Sequence, residues 1–263
     1  MLSPTMKASS QSAHLVLLLL TALGMLQTAG AQLSDIPAAS LPVRLSTEEI
    51  VANMVRRNLE RARALDAYQG TRVYRLEYRG FPGSRNAEMT VDVKFRSPGT
   101  KEFSIRSQKG SQLLIDRVFQ RLLQSEKEAL TEENQSRIAL NQDNYRFALL
   151  GYQSTPTGPA YSLSVEPITN DKLLYRGRIW VDAEDFAVVR IEAVPAKNPS
   201  FWTKDTKIEQ VYAKVGDFWL PLSNRSSSSI RLGGHASFSI DYQDYQITAA
   251  TALGSPSKVA GYR

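Results

Sequence analysis

From Tyr68 onward the apolar residues of this chain recur mostly at every second position, in short runs that stop at Gly, Pro, Asn or Asp. A period of two is the repeat of a β-strand, whose side chains point alternately to opposite faces. Arg72, Tyr74, Leu76 and Tyr78 share one face, Val73, Arg75, Glu77 and Arg79 the other, and Phe81-Pro82-Gly83 makes the turn. Met89, Val91, Val93 and Phe95 alternate with Thr90, Asp92, Lys94 and Arg96 up to Pro98-Gly99, and Phe103 and Ile105 lie on a third strand that ends at Lys109-Gly110. Seven more strands are predicted, at 145–153, 161–165, 173–181, 186–194, 206–215, 218–232 and 236–248. Helices do not alternate with these strands, which excludes a parallel α/β sheet. A sheet of about ten strands curls. The expected fold class is therefore α+β, mainly β: a curved antiparallel sheet forming an incomplete β-barrel, with helices covering the concave side.

Two amphipathic helices supply that cover. Ser46 and Glu49 fit a capping box, and Ile50, Val51, Met54, Val55, Leu59, Ala62 and Leu65 then recur at helical spacing through Asp66. Arg56, Arg57, Glu60, Arg61 and Arg63 form the opposite, wet face. The second helix is expected from about Gln112 to Leu130, with Ile115, Val118, Phe119, Leu122 and Leu123 on one stripe, followed by a polar, irregular 131–144. Any volume that these two helices leave unfilled becomes a pocket.

The ends read as parts with other duties. Lys7 precedes the apolar run His14–Leu26, and Ala29-Gly30-Ala31 fits a signal-peptidase site, so residues 1–31 read as a signal peptide cleaved after Ala31. That apolar run is shorter than the ~20 residues of a membrane span. Residues 32–46 read as a flexible linker, 47–248 as one domain and 249–263 as a loose tail. An exported chain without cysteine must be held by its core, and thiol nucleophiles, cysteine metal sites and a cysteine-attached lipid are all excluded.

Catalytic chemistry finds little to work with. His14 leaves with the signal, so only His235 remains, and a histidine metal cluster cannot be built. Asp182, Glu184 and Asp185 lie in a turn too tight to offer a calcium ion six oxygens. No Gly-x-Ser-x-Gly elbow is present. No cofactor, metal or catalytic residue is expected; an exported hydrolase using His235 and a carboxylate is the remaining enzymatic alternative. The net charge of +6 is spread along the strands without a basic run, which argues against a nucleic-acid partner.

The order of signal, N-terminal helix, strands, mid-chain helix and then Arg178-Ile-Trp-Val-Asp-Ala-Glu-Asp-Phe-Ala-Val-Val-Arg190 resembles the periplasmic lipoprotein-sorting family, that is, the outer-membrane lipoprotein carrier and its relatives. The stretch Val93-Lys-Phe-Arg-Ser-Pro-Gly-Thr-Lys-Glu-Phe103 is similar to the family's strand and turn of basic residue, Pro and a following Phe. The resemblance covers most of 47–248. It implies a half-open barrel in the periplasm that sequesters acyl chains of lipoproteins or lipids in a hydrophobic cavity for trafficking between membranes. Its partners would be those acyl chains and membrane-bound donor and acceptor proteins, with the protein itself a monomer. A sensor or regulatory module of the same fold, binding a lipidated ligand and signalling envelope stress, is the alternative.

Under this resemblance the cavity is lined by Tyr74, Leu76, Met89, Val91, Val93, Phe95, Phe103, Ile105 and Phe119, with Phe201 and Trp202 as an apolar rim. The family carries an arginine directly before the turn proline that latches the helical lid. Here Ser97 has that place and Arg96 is the latch candidate, one residue earlier. A one-residue shift reverses the face of a strand side chain, so both orientations of Arg96 stay open.

Overall fold

A computed structural model describes residues 45–198, 203–231 and 233–249. Ten antiparallel strands form one open sheet in the order β3-β2-β1-β10-β9-β8-β7-β6-β5-β4, not closed into a barrel. They are β1 (Leu65–Gly80), β2 (Arg85–Arg96), β3 (Thr100–Gly110), β4 (Tyr145–Thr155), β5 (Gly158–Pro167), β6 (Tyr175–Asp182), β7 (Val188–Pro195), β8 (Thr203–Val215), β9 (Phe218–Ile230) and β10 (Gly234–Ala249). The chain lays down three strands, crosses over through helices to the far edge, and returns strand by strand until β10 pairs with β1.

Helix α1 (Thr47–Ala64) starts where the capping box places it. Ser46 Oγ accepts from the Glu49 amide at 3.2 Å and the Glu49 carboxylate accepts from the Ser46 amide at 2.8 Å. It ends at Ala64 rather than Asp66, and Leu65 is already the first residue of β1, paired with Ala249. Leu65 is fully buried, so the sheet claims it before another helical turn can form.

The mid-chain cover is α2 (Gln112–Leu114), a π-helical turn (Ile115–Phe119) and α3 (Gln120–Glu128) in continuous succession. The wider π turn puts both Ile115 and Phe119 into the core. Residues 131–144, expected to be irregular, contain a further helix, α4 (Glu132–Ile138), with the Thr131 hydroxyl accepting from the Asn134 amide. Its two turns have no apolar stripe that a sequence pattern could register, and Ile138 is buried.

The covered face holds two core clusters. One joins the N-terminal half of α1 to β4–β8 through Ile50, Met54, Leu163, Ile179 and Ile191. The other joins the π turn and α3 to β1, β2, β9 and β10 through Phe119, Tyr74, Met89, Val91 and Ile240. Between them the strands bend. The pairing of β1 with β10 shifts register between Gln69 and Thr71, and a Cβ on Gly70 would lie 3.0 Å from the Gln243 carbonyl oxygen, a separation any larger residue would have to force open. Among the described residues no helix is long and apolar enough to cross a membrane.

Candidate functional site

At the seam between the two clusters lies a cavity of about 320 Å³. Val55, Leu59 and Ala62 of α1 form its roof, Tyr68, Arg72 and Phe95 one wall, and Tyr212, Leu220 and Pro221 the other. Ser97 and Pro98 of the β2–β3 turn close one end, with Leu130 and the 139–141 segment after α4 beside them. Tyr68 pairs across β1 and β2 with Phe95, ring centroids 5.2 Å apart, and meets Tyr245 of β10 at 5.8 Å, so an aromatic shelf borders the space. The roof is incompletely packed: Val55 is 37% and Leu59 51% exposed although both belong to the apolar stripe of α1. Asn58 Oδ1 is buried in this wall without a protein partner.

One wall carries charge. Arg72, Lys101 and Glu126 are all nearly inaccessible to solvent. Arg72 Nη1 donates to Glu126 Oε2 at 2.6 Å, Lys101 Nζ donates to the same oxygen at 3.3 Å, and the Tyr74 hydroxyl donates to Oε1 at 3.2 Å. The Arg72 guanidinium also sits 5.0 Å from the Tyr242 ring centroid. Burial alone would raise the Glu126 pKa, but Arg72 and Lys101 outweigh it and hold it below the ordinary carboxylate range. Burial, reinforced by the Glu126 charge, pushes the Tyr74 hydroxyl far up, so it remains a donor. This cluster ties α3 to β1 and β3.

The roof has its own tie. Arg61, near the C-terminus of α1, donates from Nη2 to the Asp185 carbonyl at 2.5 Å. The acidic β6–β7 turn is built to receive it. Asp182 accepts from the amides of Glu184 and Asp185 at 3.0 and 2.7 Å, and the Asp185 carboxylate accepts from Lys214 Nζ at 2.6 Å and Trp219 Nε1 at 2.8 Å. The Asp182 carboxylate is therefore engaged in the turn itself and that of Asp185 ties the turn to β8 and β9. Among the described residues no three of His, Cys, Asp and Glu are grouped to hold a metal, and His235 is exposed at the start of β10.

The residues singled out from sequence fall in several places. Tyr74, Leu76, Met89, Val91, Val93 and Phe119 are buried in the cluster beneath the π turn, where other side chains occupy the space around them. Phe103 is partly buried against that cluster. Phe95 lines the cavity. Ile105 is 43% exposed, because β3 is an edge strand. Arg96 is exposed and forms no ion pair among the described residues; Arg72 makes the ionic tie to the mid-chain helix instead. Phe201 and Trp202 lie outside the described residues. The roof and the Tyr212–Pro221 wall were not anticipated. Their signal was present in α1, whose apolar stripe is wider than its buried residues require.

The opposite face of the sheet bears a larger trough, about 1100 Å³, lined by residues such as Arg75, Arg225, Glu209 and Glu192. Its arginines are paired within the face: Arg75 with Glu88 at 2.9 Å, Arg190 with Glu209 at 2.8 Å, Arg176 with Glu166 at 3.0 Å and Arg225 with Asp241 at 3.2 Å. Solvated pairs of this kind add little to stability.

No protein-family model and no curated protein sequence matches the chain. Solved structures do. A LolA superfamily protein from Nitrosomonas europaea aligns over 77% of this chain and 93% of its own, with a TM-score of 0.32 and 12% identity. An outer membrane lipoprotein-sorting protein domain from Vibrio parahaemolyticus aligns over 72% and 87%, with 0.33 and 12%. A DUF1329 family protein from Desulfovibrio piger aligns over 80% and 95%, with 0.40 and 14%. Two of these carry the fold that the sequence resemblance named. At such scores the reading of function stands on the chain's own geometry.

Proposed function

We propose that this protein is an exported binding protein of the bacterial periplasm that shelters the acyl chain of a lipid or lipoprotein in the cavity beneath α1 and releases it elsewhere, moving it between membranes. Residues 1–31 would be removed as a signal peptide after Ala31, 32–46 would serve as a tether and 47–248 as the binding domain. The observation that carries this reading is the cavity itself: an apolar space roofed by Val55 and Leu59, which a tightly packed core would have buried.

The physics of sequestration asks for no acid, base or metal. Each methylene removed from water is worth about 0.8 kcal/mol, so a long chain is retained by contact with aliphatic and aromatic walls alone. A volume of about 320 Å³ is at the low end for small-ligand sites, and with water occupying ~30 Å³ it holds one alkyl chain rather than a bundle of them. Purification from a bacterial envelope without detergent, followed by native mass spectrometry, tests the proposal. Acylated species are expected to co-purify with the protein and to be lost from a Leu59→Asp variant. A wild-type protein that is ligand-free and stays so when offered alkyl chains would refute it.

A further inference from the structure

The cavity wall has a charge imbalance. Two cations, Arg72 and Lys101, share one carboxylate, Glu126, and all three are at most 5% exposed. Among the described residues neither cation has a second acidic partner. The neighbours that complete the cluster are neutral: Arg72 donates to the hydroxyls of Tyr74 at 3.3 Å and Tyr68 at 3.4 Å, and lies over the rings of Tyr242 and, at 5.9 Å, Phe103. Neutral hydroxyls and aromatic faces stabilise a cation but do not cancel its charge. An excess of one positive charge therefore remains in a place that water does not reach, which is costly unless an anion joins it. Arg72 is also the member of the cluster that borders the apolar cavity.

We infer that the cavity takes a single-chain amphiphile ending in a monoanion, a long-chain fatty acid, with its carboxylate turned toward Arg72 and its alkyl chain lying under Leu59 and Val55 against Tyr212 and Leu220. This rests on the acyl-binding reading above and narrows it. The charge count sets the class: one carboxylate brings two cations and Glu126 to neutrality, whereas an ester or an alcohol at the same place leaves the imbalance as it is. The site volume agrees, since it suits one chain. Guanidinium and carboxylate are matched in shape as well as in charge.

The test compares palmitate with methyl palmitate by detergent-free isothermal titration on the full mature chain. A hydrogen bond to a charged group corresponds to about tenfold or more in affinity, and the acid is expected to bind tighter than the ester by that factor. Lys101→Gln removes the excess charge without altering the cavity lining and leaves Arg72 paired with Glu126; it is expected to bring acid and ester close to parity while ester binding is unchanged. Equal binding of acid and ester by the wild-type protein overturns the inference and leaves the acyl-binding reading in place. Failure of both to bind overturns the reading itself. A preference for the acid that survives in a folded Lys101→Gln protein places the carboxylate elsewhere and overturns the assignment to this cluster. Should that variant not fold, the wild-type comparison still decides.

Discussion

The two helical covers face the same sheet, yet they are fixed to it in opposite ways. The π turn and α3 press Ile115, Phe119 and Leu122 into a cluster with Tyr74, Met89 and Ile240, and the Arg72–Glu126–Lys101 group locks them from below. Beyond Met54, α1 leaves Val55 and Leu59 partly in water over a hollow, and Arg61 holds this stretch by a hydrogen bond to a turn. One cover is sealed by burial and by charge. The other is anchored in its first half by Ile50, Val51 and Met54 and near its end by Arg61, and between those anchors it spans the hollow. A molecule that must hold an apolar guest and let it go needs a wall that does not yield beside a roof that is less completely packed.

The sharpest way to break this contrast is to unlock the sealed side. Glu126→Ala strands two buried cations and is expected to cost about 3–5 kcal/mol, measured by urea denaturation of the variant against wild type. The same group predicts a pH response. The folded-state pKa of Glu126 is depressed, so its contribution is present above the unfolded carboxylate value of about 4.3 and is lost as pH falls through the lower folded value. The melting temperature is expected to drop on acidification below that point, and the drop to be smaller in Glu126→Gln. On the tethered side Arg61→Ala removes a charged donor from the Asp185 carbonyl and is expected to cost about 1.5–3 kcal/mol, with hydrogen exchange rising first in α1 rather than in α3. The smallest effect on folding belongs to Leu59→Ala: a change within about 0.5 kcal/mol, accompanied by several-fold weaker alkyl binding in a titration. If Leu59→Ala proved as destabilising as a core truncation, the roof would be ordinary core and the contrast would vanish.

Much of the architecture was legible because a sheet advertises itself residue by residue. The alternation of Met89, Val91 and Val93 and the Ser46–Glu49 box require only local geometry, and each is found where the pattern puts it. The site was less legible, since a hollow is what packing leaves behind. The stripe of α1 contained Met54 and Leu59 alike, and only the sheet opposite decides that the first is fully buried and the second is not. Arg72 had stood in the run with Tyr74 and Leu76, on the inward face, and that was the available sign of a buried cation. Its partner Glu126 is 54 residues away on a helix, beyond the reach of any periodicity. The aromatic and aliphatic residues on β1, β2 and β3 drew attention because they are large and regular, and those are the qualities that let a core fill completely.

The junction of Ala64 and Leu65 has a mechanical consequence. With no spacer between helix and strand, α1 behaves as a lever whose fulcrum is the backbone of two consecutive residues. Its 18 residues at ~1.5 Å each make an arm of about 27 Å. Any swing about that pivot would carry Thr47 through the widest arc, breaking its bond to the Leu149 amide and drawing Ile50 and Met54 out of the core, so the far end is the costly one to lift and the stretch beside Arg72 moves least.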